Sequence, residues 1–388
     1  MKITITDFIN KPFIIGFCFY VLLVIINDIF ANDILPIYLS VLSIVLLLTF
    51  YKNHFKHFYA ELAIYFFVVI FSQSLFGSLF QGWYLKGILM LMTTLLLCQY
   101  LSRNRTLSYS FTNGVVIGIV LSDIYYWIFS ISNASFVLRH ELYFFSASSL
   151  GLMGSLAYYY GLCHWVLNKN KYYLLLIIVS AISIFLSFSK NAIIAMILIS
   201  VLWLILIGRV KKWVSILGFI ILFGIFVGIF YIDVIIEVIE YVSLDIEKGE
   251  TTGSIQLNGR SAIWDEAIKA YNSSPWVGIG YGNLTTYLQK YSYNNAMQAH
   301  STFYQLIGSV GIIGTIAIFV FITRIIIYTI KNFSKDKDAL YHWCVCMLMY
   351  FLIRAITEGT FAQCYNMDVC IFFFVCSTIC NYHYKYFK

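Results

Sequence analysis

Few side chains in this 388-residue sequence can do chemistry, and most of those are cations or an imidazole: His300, Arg260, Lys190, Arg139 and Arg354, with Glu358 just beyond the last. His300 opens an apolar run in Ala299-His300-Ser301. At a helix start the macrodipole disfavours imidazolium, so this ring is expected to be neutral and able to accept a proton. Arg260 opens a short amphipathic stretch, Gly259-Arg260-Ser261-Ala262-Ile263-Trp264, where a cation is poorly placed for the dipole and an anion is welcome. A guanidinium and a helix N-terminus together make a phosphate receptor. Proton acceptance beside phosphate binding is the chemistry these residue types support.

Each candidate also has a plainer reading. His300 could be a hydrogen-bonded interfacial histidine and Arg260 one half of a surface pair. Arg354 and Glu358, four apart, could form a structural ion pair on one helical face. Lys190, in the hairpin Ser187-Phe188-Ser189-Lys190-Asn191, and Arg139, in Arg139-His140-Glu141, could be solvated. The glycines of Pro275-Trp276-Val277-Gly278-Ile279-Gly280-Tyr281-Gly282 resemble a phosphate loop only superficially, since no strand precedes them and no Gly-Lys-Ser/Thr follows. They read as a tight turn that lets backbone approach a ligand or another helix. Asp336-Lys337-Asp338 is a literal DxD in a lysine-rich loop, read as a solvated charge run, and no metal site is expected.

The elements that must position these residues are membrane helices. Hydrophobic residues make up 61% of the chain and charged ones 11%, and the mean hydropathy is +0.83, far outside soluble usage. Apolar runs long enough to cross roughly 30 Å of hydrocarbon number about twelve, which excludes an outer-membrane barrel. They span roughly 12–31, 34–51, 58–79, 83–101, 111–131, 143–167, 171–188, 191–208, 211–236, 300–330, 339–357 and 365–383. The expected fold class is all-α: a polytopic integral membrane protein, one domain over 1–388, with a large loop at 237–299 before the last three helices.

Charge sets the orientation. Lys2, Lys11, Lys52, Lys56, Arg103, Arg105, Lys169, Lys171, Arg209, Lys211, Lys212, Lys331, Lys335, Lys337, Lys385 and Lys388 all fall on one side if every run spans. That side is the cytoplasm, with both termini inside. The net charge of +7 is thus a topology signal first. The interval 237–299, with Glu237, Glu240, Asp245, Glu247, Glu250, Asp265 and Glu266, faces out. Cations left on that outer side need a reason to be there. Arg324 is expected to snorkel to the inner surface, and Asp123 to sit inside the bundle.

Other expectations are structural. The nine cysteines sit in apolar runs without a CxxC pair and read as small core residues. The first run, after Lys2 and Lys11, reads as a retained signal anchor. After Arg260, one helical face carries Ile263, Trp264, Ala267, Ile268 and Tyr271, with Asp265, Glu266 and Lys269 opposite. Gly308, Gly311 and Gly314 recur every three residues, which predicts a closely packed helix.

The series Arg260-x3-Trp264-x2-Ala267, Pro275-x2-Gly278-x-Gly280-x-Gly282, then His300 with Gln305-Leu306-x4-Gly311-x2-Gly314, resembles the O-antigen polymerase and O-antigen ligase superfamily. The motif likeness covers roughly 259–320, and the hydropathy pattern extends it over the chain. Ser301 stands where the family usually has Asn, Lys190 where its Ser-Arg hairpin has Arg, and Arg139 is all that remains of a further arginine element. The resemblance implies an inner-membrane glycan transferase whose site faces the periplasm, using neither metal nor nucleotide cofactor. Its implied partners are an undecaprenyl-pyrophosphate-linked oligosaccharide, membrane lipid and a chain-length regulator protein, with no nucleic acid. His300 is then the base, Arg260 a charge stabiliser and Glu358 a substitute or orienter. Lys190, Arg139, Arg354, Trp264 and Gly280 form the expected pyrophosphate and substrate-binding set. Attack opposite the leaving group would invert the anomeric centre. A repeat-unit polymerase is the favoured member; a ligase acting on lipid A core shares its chemistry. A lipid-linked oligosaccharide flippase is the rival from another class, which should show internal symmetry and midplane charges.

Overall fold

The structure is a computed structural model that describes residues 60–76, 98, 101–102, 105–132, 147–187, 189–208, 260–291, 298–334, 336–359 and 367–386. All regular structure among the described residues is helical. The helices are α1 (Ala60–Phe76), α2 (Arg105–Ser132), α3 (Ala147–Asn168), α4 (Tyr172–Leu186), α5 (Lys190–Leu206), α6 (Arg260–Ser273), α7 (Asn283–Tyr291), α8 (Thr302–Phe333), α9 (Ala339–Arg354) and α10 (Met367–Tyr386). All but α6 and α7 fall on predicted apolar runs. The predicted runs 12–31, 34–51 and 211–236, nearly all of 83–101, and the signal-anchor reading lie outside the described residues. Residues 105–125 of α2 and the whole of α8 are each long and apolar enough to cross a membrane. Shorter apolar stretches make up α1, α4, α5, α9 and most of α10.

The bundle is built around α9. Its residues from Ala339 to Leu348 are buried without interruption, as expected of a helix apolar on every side that lies inside a bundle. It packs on α3, α5 and α10. The Trp343 indole donates to the Leu156 carbonyl at 3.0 Å, and the Tyr159 hydroxyl donates to the Ala195 carbonyl at 2.7 Å. Polar tips thus find partners while their rings stay in the core. The described cysteines Cys98, Cys163, Cys344, Cys346, Cys376 and Cys380 are free and buried, as core residues should be. Cys18, Cys364 and the Cys370 side chain lie outside the described residues. Asp123 is buried in the bundle at 1% exposure.

The glycine series in α8 packs closely as expected, Gly308 against Ala267 and Leu284 and Gly314 against Val68, and its middle member does something more. Gly311 has φ +62° and breaks the helix in two. From Ile312 to Phe333 the lower part has 22 residues, about 33 Å at 1.5 Å per residue, enough to span by itself. A break leaves carbonyls and amides without helical partners, and such groups are not tolerated near a membrane unless protein satisfies them. The turn after α6 does so. Ile279 N–H donates to Gly308 O at 3.0 Å and Gly280 N–H to Ser309 O at 3.2 Å, while Ile312 and Ile313 N–H donate to Pro275 O and Trp276 O at 2.9 and 3.2 Å. Gly278, with φ +70°, lies directly on the backbone of Ser309 and Val310, where a Cβ would collide. The proline-glycine turn is a splice into the broken helix.

The splice is flanked by a small separate core of Ile263, Ala267, Ala270, Leu284, Leu288 and Ala299, formed between α6, α7 and the entry to α8. The buried stripe of α6 therefore runs through Ile263, Ala267 and Ala270, and Ile268 is 37% exposed. This corrects the predicted face: at 100° per residue Ile268 points well away from that stripe. At the far side Gln73 of α1 accepts from Gly282 N–H at 3.0 Å, and Asn283 donates to Phe76 O at 2.8 Å. Together they tie the turn to α1.

At the opposite end of the bundle the DxD pair is buried, which overturns the solvated reading: Asp336 and Asp338 are 6% and 8% exposed. Asp338 caps α9 through Leu340 N–H at 3.2 Å, pairs with Arg105 Nε at 2.6 Å and accepts from the Tyr109 and Tyr382 hydroxyls. It thereby joins α2, α9 and α10. His342 Nε2 lies 2.9 Å from Asp336 O, and Trp203 donates to its Nδ1 at 3.1 Å. Those partners define a neutral ring protonated on Nε2. Arg324, expected to snorkel, pairs instead with Glu61 of α1.

Two outcomes follow from this fold. Gly278→Ala combines left-handed strain, about 1–2 kcal/mol, with a backbone collision, whereas Gly208 has φ +68° and nothing near its Cβ direction. Thermal unfolding in detergent should drop clearly further for G278A than for G208A; equal drops would rule out the splice as a stabilising contact. Burial raises the proton affinity of Asp338, but the Tyr109 and Tyr382 hydroxyls, the Leu340 amide and Arg105 outweigh it and hold the carboxyl below its ordinary value. A carboxyl depressed on folding stabilises above its unfolded pKa of about 3.9, and that contribution is lost as pH falls through the folded value. Asp338→Asn should lower stability at neutral pH by about 1–3 kcal/mol and flatten its decline in acid, read by thermal scans across pH.

Candidate functional site

His300 sits between α7 and α8 with φ +47°, a conformation uncommon for a residue with a side chain and held only where neighbours over-determine it. The neighbours here are well secured. Ala299 N–H donates to Gln305 Oε1 at 2.9 Å, and the Ala299 carbonyl accepts from the Trp264 indole at 2.8 Å. Beyond the ring, Ser301 is extended and Thr302 N–H donates to Ala355 O at 2.9 Å. Trp264 also stacks on Tyr304, centroids 5.0 Å apart. The tryptophan of α6 and the glutamine of α8 thus meet on the residue before the histidine.

Glu358 comes to the same place from the other direction. Helix α9 ends at Arg354, so Glu358 lies in the turn beyond it, with its N–H on Arg354 O at 2.9 Å. The Arg354–Glu358 pair therefore does not lie within one regular helix, although the backbone bond keeps the two residues one turn apart. The Glu358 carbonyl accepts from Thr302 Oγ1 at 2.8 Å, and its Oε2 lies 3.5 Å from His300 Nδ1. A carboxylate beside Nδ1 favours the tautomer with the proton there and leaves Nε2 as an acceptor. The imidazole is partly open, at 35% side-chain exposure, against 14% for the carboxylate.

Two helix starts meet at this patch, and a third helix reaches it one turn in. α8 starts at Thr302, whose backbone and hydroxyl bind Ala355 and Glu358. α5 starts at Lys190, and the next residue, Asn191, donates to the Thr357 hydroxyl. α6 starts at Arg260, and Trp264, one turn on, binds Ala299. The starts of α5 and α8 carry the positive ends of their helix dipoles, which favour an anion. The side chains of Lys190 and Arg260, and all of Arg139, lie outside the described residues. Arg354 is buried at 5% exposure in the last turn of α9, where a cation suits the negative end of the dipole. Gly280 is built into the splice, with φ +108° and its α-carbon facing Asn283 and Gln73.

Sequence reasoning missed Gln298, Asn191 and Thr302, and quoted Gln305 without a role. Amides and hydroxyls leave no topological trace, because the membrane does not select against them as it does against charge. Asn191 and Gln298 each lie within two residues of a predicted site residue, and that adjacency was the available signal.

No curated protein matches this chain. Residues 175–319, more than a third of the chain, match the family model described as O-Antigen ligase (Wzy_C), a stretch that holds Lys190, Arg260, Trp264, Gly280 and His300. That match makes residues 175–319 similar to the O-antigen ligase family, consistent with the superfamily that the motif series resembles.

Proposed function

We infer that this protein is an inner-membrane polysaccharide polymerase, moving a glycan from undecaprenyl pyrophosphate onto a hydroxyl of another lipid-linked repeat unit. The observation that carries the reading is the meeting of the starts of α5 and α8, and of Trp264 from α6, around the His300–Glu358 pair. In the reaction, the bond between the anomeric carbon and the pyrophosphate oxygen breaks while the acceptor oxygen bonds to that carbon from the opposite face. The acceptor's proton goes to His300 Nε2, and Glu358 stabilises the resulting imidazolium through Nδ1. The leaving pyrophosphate carries negative charge, which the starts of α5 and α8 are suited to meet, with Lys190, Arg260 and Arg354 as the candidate cations. Arg139 is a further candidate for that role. Because these groups supply the electrophilic stabilisation, transfer should proceed without a divalent ion. Trp264 shapes the wall beside the imidazole.

This end of the bundle is read as periplasmic, since the lysine-rich loop between α8 and α9 marks the other end as cytoplasmic. Aggregation of the ionisable candidates at one end favours transfer over transport, which would place them near the midplane. The ligase reading shares every step above and is favoured by the description of the matching family. The two differ in the acceptor alone.

The experiment is transfer by the purified protein in lipid, with polyprenyl-pyrophosphate-linked glycan as donor. His300→Ala should lower turnover by about a hundredfold or more, as loss of a general base does, at unchanged protein abundance. Arg260→Ala should lower it by about as much through lost charge stabilisation, and a chelator should leave the wild type active. Undiminished transfer by H300A would end this assignment. The glycan profile of a deletion strain separates the siblings: single repeats on core indicate a lost polymerase, and bare core with lipid-linked polymer a lost ligase.

A further inference from the structure

Gln298 completes a triangle with the two groups just described. Its Nε2 lies 3.2 Å from Glu358 Oε2 and 3.5 Å from His300 Nδ1, while Nδ1 and Oε2 are themselves 3.5 Å apart. An ionised carboxylate can only accept, so the amide must turn its nitrogen, not its oxygen, towards Glu358. That chemical requirement fixes the amide's orientation. The backbone of Glu358 is held by Arg354 O and Thr302 Oγ1, and the Gln298 amide then acts on the carboxylate at its far end. One oxygen, Oε2, is thus offered both to the amide and to the imidazole.

We propose that Gln298 is a positioning residue that aims the Glu358 carboxylate at His300 Nδ1. The amide proton on Oε2 anchors the carboxylate and keeps the same oxygen 3.5 Å from Nδ1, where it can form a charge-assisted bond as the ring gains its proton. The ring is then presented with Nε2 towards the reacting hydroxyl. Gln298 touches neither donor nor acceptor; it works through Glu358. This inference rests on the transferase reading for its consequence, but its geometry can be tested apart from it.

Gln298→Met keeps the length of the side chain and removes its donors. In transfer assays kcat should fall about tenfold with KM little changed, the mark of an interaction that matters only in the transition state. The decisive measurement is a double-mutant cycle with Glu358→Gln. If Gln298 acts through Glu358, Q298M should cost little further in the E358Q background. Equal losses in both backgrounds, or a raised KM with kcat intact, would overturn the proposal. The same cycle is read without turnover by the rate at which diethyl pyrocarbonate modifies His300, followed by peptide mass spectrometry at one pH. Q298M should change that rate in the wild-type background and not in E358Q; an identical change in both would also overturn it. A protein in which H300A still transfers glycan loses the functional assignment, while the modification rates still decide whether Gln298 and His300 are coupled through Glu358.

Discussion

The constraint on which the site depends is that a broken membrane helix must have its backbone groups satisfied by protein. α8 is broken at Gly311, and the turn from Pro275 to Gly280 supplies two amides to the carbonyls above the break and two carbonyls to the amides below it. Four hydrogen bonds in a water-poor setting matter less for what they add than for what their absence would cost. Because α6 precedes this turn and α7 follows it, the splice also fixes where those two helices lie. The Trp264 indole reaches Ala299 only because α6 is held against the upper half of α8.

From that anchorage the site assembles by short connections. The upper half of α8 starts where α9 ends, so the residues before α8 and after α9 are bonded neighbours. The α4–α5 hairpin reaches the same turn through Asn191. No side chain in the cluster needs a long reach. Left-handed backbone at His300, secured on both sides, turns strain into a defined direction for the imidazole. The opposite end of the bundle is built differently. There Asp338 ties three helices together, and His342 is locked neutral between an indole and a carbonyl. The protein thus has a polar knot at one end and the candidate site at the other.

Much of this was legible from residue order. Long apolar runs announce helices wherever the surrounding solvent is hydrocarbon, and eight described helices fall on them. The motif spacing singled out Arg260, Trp264, His300 and Gln305 before any contact was known. Where the reading went astray, a local rule was overridden by a partner distant in sequence. Asp336 and Asp338 looked solvated in a lysine-rich loop, yet both are buried, Asp338 against Tyr109 and Tyr382. Ile268 looked core-facing because it is apolar, yet α7 packs against the neighbouring stripe.

By itself the sequence determined class, helix positions and the short inventory of reactive groups, because hydropathy and charge act residue by residue. Tertiary structure alone decided that Gly278 and Gly311 meet, that Glu358 leaves its helix to face His300, and that Gln298 joins them. Those pairings join segments far apart in the chain, through backbone groups every residue has and amides that carry no charge. Nothing in composition or periodicity records such a meeting; only the folded path of the chain does.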